Sequence, residues 1–242
     1  MAPPAAPDQD DAPPRHPRLP GVIGVLACAA WLVGYFLPWI TFTPAQRETV
    51  REAFAPRIDA LEATWPEHAA RYRVLLAEAT GKGALTGLDL HLYARAAHGL
   101  NLDLQGAPPP DRAAERPWVV QRMFRGVAVL LAFLPLASTL LLLVLVARRV
   151  RTGPLLLATL VVVGCLGGTL GIVWTRVAEA LSADVLRGTG LALVLASSLA
   201  QACTGLFSVT RRTWWRVYGL ALLGLALVAT VTWAVVLRGW TP

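Results

Sequence analysis

The side chains that could do chemistry gather in one polar stretch between two apolar runs. Asp89, His91, His98 and Asp103 are the residue types of a metal site, and Glu67, His68 and Tyr72 are types that transfer protons. Spacing works against both sets. His91 and His98 stand seven residues apart, which on a helix is about 10 Å of axial separation, so their rings converge only by long side-chain bending. Helical metal ligands use a four-residue spacing instead. Glu67 and His68 are sequence neighbours and leave a helix in different directions. Cys28, Cys165 and Cys203 are scattered through apolar runs, which supplies neither a thiolate cluster nor a disulfide framework. A nucleophile elbow, a phosphate-cradling Gly-Lys-Ser/Thr loop and a paired-histidine Glu motif are all missing from the chain. The expectation is therefore no catalytic residue, no metal and no cofactor.

Composition turns attention to the elements that hold these residues. The 242-residue chain is 55% hydrophobic and 15% charged, against about 25% charged in soluble domains. Its mean hydropathy is +0.54. This is the balance of a membrane protein. The net charge of +7 does not point to nucleic acid, because the basic residues punctuate the ends of apolar runs rather than forming one patch. All of them except Lys82 are Arg, and Ala, Leu, Val and Gly abound, as in chains from high-GC bacterial genomes.

Residues 1–20 are rich in Pro and acids and hold too little apolar surface to offset the entropy of ordering them, so a disordered tail is expected. Residues 21–42 form an uncharged run that can cross about 30 Å of hydrocarbon as a helix. Trp31, Tyr35 and Trp39 are its interface anchors. The run continues well past Cys28, which argues for an anchor rather than a cleaved leader. Four more spans are expected at 124–147, 154–175, 188–209 and 214–237. Arg15 and Arg18, then Arg148, Arg149 and Arg151, then Arg211, Arg212 and Arg216 mark one side, whereas the loop at 176–187 balances its arginines with Glu179 and Asp184. By the positive-inside rule the amino terminus is cytoplasmic and the carboxyl terminus outside. Arg116, Arg122 and Arg125 at the outer end of the second span run against that count.

Residues 43–123 are then a small helical extracytoplasmic domain. Thr43 and Pro44 suit a cap and first helical residue, followed by a helix to Ala55, with Pro56 and Pro66 punctuating two further helices. Ala69, Tyr72, Leu76 and Ala79 share a face that needs packing. An echo follows, Gly-Leu-Asp-Leu-His-Leu from Gly87 and Gly-Leu-Asn-Leu-Asp-Leu from Gly99. Thr86 and Asp89 have the form of a capping box, which predicts a helix from Gly87 to His98 ending at a left-handed Gly99. The alternation of Leu100, Leu102 and Leu104 predicts an extended second copy before Pro108. Leu85, Leu88 and Leu92 form the candidate face for a partner or the bilayer.

Inside the spans, none carries an ionisable group near its middle, which speaks against an ion-coupled pump. Ser197 and Gln201, four apart in the fourth span, are candidates for substrate or interhelical contact. Gly164 with Gly168, and Gly167 with Gly171, make overlapping small-xxx-small pairs for helix packing or oligomerisation in the third span. Pro135 should kink the second span. The loop layout is similar to that of claudin-like four-span proteins. That family's first-loop Trp-Gly-Leu-Trp and paired cysteines are missing and a fifth span is added, so no family is assigned. The chain reads as an all-α polytopic membrane protein with five transmembrane helices. Its expected role is a non-catalytic assembly, scaffold or partner-binding component of a bacterial inner membrane. The alternative is a transport or permease-like subunit for a neutral or lipidic substrate. The expected partners are the lipid bilayer and a protein or second copy bound through the third span and the outer loop, with no nucleic acid.

Overall fold

The structure is a computed structural model and describes residues 18–106, 118–181, 186–209 and 213–237. The expected tail therefore lies almost wholly outside the described residues, as do Pro108, Arg112, Arg116, Arg211 and Arg212. The chain is almost entirely helical. In order, the elements are α1 (Leu19–Phe36), β1 (Pro38–Thr41), α2 (Pro44–Glu62), α3 (Pro66–Gly81), β2 (Ala84–Thr86), α4 (Gly87–Gly106), α5 (Trp118–Ala147), α6 (Pro154–Leu181), β3 (Leu186–Arg187), α7 (Thr189–Phe207) and α8 (Trp214–Leu237). Four stretches are long and apolar enough to cross a membrane: Leu19–Phe36, Gly126–Ala147, Pro154–Ile172 and Thr189–Phe207. In α8 the stretch Trp214–Leu227 is also apolar.

The bundle is built on α1, α5, α6 and α7, with α8 packed mainly on α6. Its core holds Trp31, Leu131, Leu134, Leu145, Leu160, Val163 and Val194, all essentially inaccessible. The outer faces are apolar as well: Leu136, Leu140 and Leu143 on α5 and Leu222, Leu223 and Leu227 on α8 stand exposed. Apolar residues both inside and outside a helix bundle are what a hydrocarbon solvent permits and water penalises. Thr139, Thr159, Thr169 and Thr204 each return the hydroxyl to the carbonyl four residues back, so no polar group is left facing outward without a partner at these positions.

The first span is shorter than the apolar run suggests. Pro38 has no N–H to continue the ladder and disfavours helical geometry at Leu37, which is extended at ψ 159°. The chain turns there into β1, and the expected helix over 37–42 is a strand instead. β1 pairs antiparallel with β2 (Ile40 opposite Leu85, Thr41 opposite Ala84) and on its other edge with β3 (Ile40 opposite Arg187). The all-helical reading is corrected by this three-stranded sheet, in the order β2-β1-β3. Short pairings between distant segments leave little trace in local periodicity, which is why the strands were read as loop and span.

Two further expectations change. α2 runs through Pro56 as one helix, because the Glu52 carbonyl that loses its donor lies on an exposed part of the helix where water can replace it. Its start is as expected, with Thr43 and Gln46 capping each other reciprocally. α4 does not stop at Gly99, and no described glycine has a positive φ. The echo is one continuous helix: Leu100 and Leu104 face the same way, Leu100 buried with Ile58, Leu61 and Ala69 and Leu104 packed on that cluster. Leu102 between them is exposed. A helical spacing of four thus wins over the apparent alternation, and Gly99 serves close packing, since an added Cβ would lie 2.9 Å from the Tyr72 hydroxyl.

Candidate functional site

Two places concentrate polar or cavity-forming residues. The first is a polar seam inside the bundle. Trp31 of α1 donates from Nε1 to the Ser198 hydroxyl of α7 at 3.1 Å. One turn away Gln201, fully buried, donates to the Cys28 sulfur at 3.6 Å, while its Oε1 has no partner. Ser197 returns its hydroxyl to the Val194 carbonyl. Ser197 and Gln201 are thus buried among α1 and α7 and do not line the cavity described below.

The glycines of α6 are what let α7 come close enough for this seam. A Cβ on Gly164 would stand 2.6 Å from both the Ser198 carbonyl and the Ala202 nitrogen. One on Gly167 would meet the Ser198 hydroxyl at 2.5 Å and Trp31 Nε1 at 2.9 Å. Gly171 faces Leu195 of α7. Gly168 is different, with nothing within 4 Å of an added Cβ. The two overlapping pairs therefore divide: Gly164, Gly167 and Gly171 are consumed by packing within the chain, and Gly168 looks elsewhere.

The second place lies in the domain formed by α2, α3 and α4 over the sheet. It contains a partly open apolar cavity of about 140 Å³. Val50, Phe54, Leu75, Leu76, Ala97 and Leu100 give its walls their character. Phe42 and Leu85 close the end nearest the sheet, and Arg47 is the only charged side chain in the lining. The Arg47 Nε is buried without a hydrogen-bond partner, and Nη2 lies against Gly83.

Salt links hold the frame of this domain. Lys82, just after α3, reaches Asp89 of α4 at 2.8 Å and Glu78 at 3.1 Å. Asp89 also accepts from the Thr86 N–H and hydroxyl, and Thr86 accepts from the Asp89 N–H, which completes the expected capping box. Burial works against the Asp89 charge, but Lys82 and Thr86 together outweigh it and hold the carboxyl below its ordinary range. The bond to Asp89, then that to Glu78, raises the Lys82 ammonium above its ordinary value. Asp103 Oδ2 accepts from Tyr72 at 2.8 Å and pairs with His68 Nδ1 at 2.9 Å, tying α4 to α3. Burial, then the Asp103 bond, raises the Tyr72 phenol, so it stays a donor. Arg73 bridges Asp59 and Glu62 of α2.

The candidate metal residues do not converge. His91 Nδ1 lies 2.9 Å from the Ala128 carbonyl of α5, Asp89 is engaged by Lys82, and Asp103 by α3. Among the described residues no group of His, Cys, Asp and Glu could hold a metal ion. The expected face of Leu85, Leu88 and Leu92 also divides: Leu85 is 5% exposed within the main core, while Leu88 and Leu92 are 42% and 49% exposed. Leu85 is a strand residue paired to Ile40 and so points inward, away from the α4 surface that carries the other two.

Sequence reasoning missed the Trp31–Ser198 bond and Arg47. Trp31 read as an interface anchor because its spacing within an apolar helix cannot distinguish a membrane surface from a buried partner. No protein-family model matches the chain, and it has no match among the curated proteins or the solved structures with which it was compared.

Proposed function

We propose that the chain is a non-catalytic assembly or scaffold component of a bacterial inner membrane. In this reading α8 is a fifth span, the amino terminus is cytoplasmic, and the α2–α4 domain and carboxyl terminus are extracytoplasmic. The observation that carries it is the closed polar seam: Trp31, Ser198, Gln201 and Cys28 satisfy one another between helices, so the most polar residues of the spans stabilise the bundle instead of facing a route through it. The surface left over is apolar and suits contact with a neighbour. Gly168 on α6 is open to close approach by another backbone, and Leu88 and Leu92 stand out from α4. Native mass spectrometry of the tagged protein, gently extracted from its own membrane, tests this. A stoichiometric protein partner or a homodimer is expected, and a lone monomer carrying a defined lipid or small molecule would overturn it.

A transport or permease-like role for a neutral or lipidic substrate is the second reading, favoured by the apolar cavity of the outer domain. A cysteine placed at Ala107 tests the orientation common to both. It should react with an impermeant thiol reagent in intact cells, and labelling only after lysis would reverse the topology.

A further inference from the structure

The cavity of the α2–α4 domain has walls and a single charge that together define a ligand class. A water molecule needs roughly 10–15 Å³ of such space and two to four polar partners. At about 140 Å³ the cavity has room for on the order of ten water-sized groups, but its lining offers almost nothing to bond them. The hydroxyls within reach are already committed, Tyr72 to Asp103 and Thr80 to the Leu76 carbonyl. A string of methylene groups matches such walls far better than water does.

Arg47 supplies the other half. Its neighbours in the domain are neutralised: Arg51 pairs with Glu48, Arg73 with Asp59 and Glu62, and Lys82 with Glu78 and Asp89. Arg57 lies over the Phe54 ring. No described carboxylate comes within ion-pairing distance of Arg47, and its buried Nε is left without an acceptor. A half-buried guanidinium beside apolar walls and without a counter-ion is a ready partner for a carboxylate or phosphate, which it can grip through two parallel N–H bonds. Phe42 and Leu85, at one end of the cavity, belong to or adjoin the strands that follow the first span, so an acyl chain reaches the site without leaving apolar surroundings for long.

We infer that this cavity binds a single-chain amphiphile with an anionic head, its acyl tail between α2, α3 and α4 and its carboxylate or phosphate on Arg47. The test uses the full chain in phosphatidylcholine nanodiscs with a photoreactive hexadecanoic acid carrying a diazirine partway along the tail. Crosslinked peptides are mapped by mass spectrometry. Labelling of Val50, Phe54, Leu75 or Leu76 is expected, falling at least tenfold in Arg47→Met and largely restored in Arg47→Lys. Labelling of the lipid-facing residues of α5 should stay constant and reports that the variants are folded and inserted. Competition by unlabelled hexadecanoate identifies a free fatty acid as the source, and competition by lysophosphatidylglycerol a phospholipid headgroup. Labelling confined to the spans would overturn the inference, as would equal competition by hexadecyltrimethylammonium or cavity labelling unchanged in Arg47→Met. Because only cavity residues are read, the outcome is separate from that of the partner search.

Discussion

Trp31 and Ser198, 167 residues apart in the chain, are joined by a 3.1 Å hydrogen bond whose geometry depends on Gly167 having no side chain. An added methyl at Gly167 would strike both partners, whereas one at Gly168 would meet nothing. Gly167→Ala should therefore destabilise the bundle by about 1–3 kcal/mol through overpacking, and Gly168→Ala should change it by less than about 0.5 kcal/mol. Thermal unfolding of the purified protein in detergent checks both. Loss of an assembly in Gly168→Leu, with the monomer's stability intact, would assign that face to a partner.

Gln201 carries a buried carbonyl with no acceptor role filled and a weak bond to sulfur. An unsatisfied buried polar group costs about 1–3 kcal/mol. Gln201→Leu should accordingly leave the unfolding midpoint unchanged or raise it, as should the double change with Ser197→Ala. A fall in stability would mean that the amide holds something the bundle needs.

The Lys82–Asp89 link gives the outer domain a defined pH response. The Asp89 carboxyl is lowered in the fold, so its contribution is complete above the unfolded value of about 4 and is lost as pH falls through the lower folded value. The Lys82 ammonium is raised, so its contribution is complete below about 10.4 and is lost as pH rises through the higher folded value. Hydrogen exchange of the first turn of α4 should be slowest between those limits and quicken on both sides. In Asp89→Asn the acid-side change should disappear.

Between α5 and α6 the chain reverses through Arg149 and Val150, both left-handed at φ 49° and 63°. The Val150 N–H bonds back to the Leu145 carbonyl at 2.8 Å, and its own carbonyl lies against Gly21 of α1. A β-branched residue in this conformation stores about 1–3 kcal/mol of strain. Val150→Gly should recover about 1 kcal/mol of it, after the entropy lost on restraining glycine. Gly21→Ala should lower stability, because backbone rather than a flexible side chain blocks the added methyl. Paired melting curves of the two variants check the signs.

What the sequence made legible follows the physics of each signal. Long apolar runs, the Thr43–Gln46 and Thr86–Asp89 caps and the start of α3 at Pro66 are set by neighbours a few residues away, and local reading finds them. The strands at Trp39–Ile40 and Leu85 depend on partners far along the chain. The same is true of Gly99, which serves Tyr72 rather than a helix end, and of Leu85, which serves the sheet rather than a docking face. The seam was half legible: Ser197 and Gln201 stood out as polar, but Ser198, which makes the cross-helix bond, was indistinguishable from its neighbour without knowing which face α1 covers. Arg47 was invisible for a related reason, since a charge looks like any other surface charge until its lack of a counter-ion is seen.

The order of strands in the small sheet also sets a timetable for biogenesis. β1 and β2 emerge from the ribosome with only α2 and α3 between them and can pair early. β3 follows β2 by about 100 residues, so at about 5–20 residues per second the free edge of β1 waits on the order of 5–20 s, while α5 and α6 are being inserted, for the strand that covers it. An unpaired edge is adhesive for that interval. The nascent chain therefore has a window in which insertion machinery or a chaperone can hold Ile40 and its neighbours, and the arrival of Leu186–Arg187 is the event that releases it.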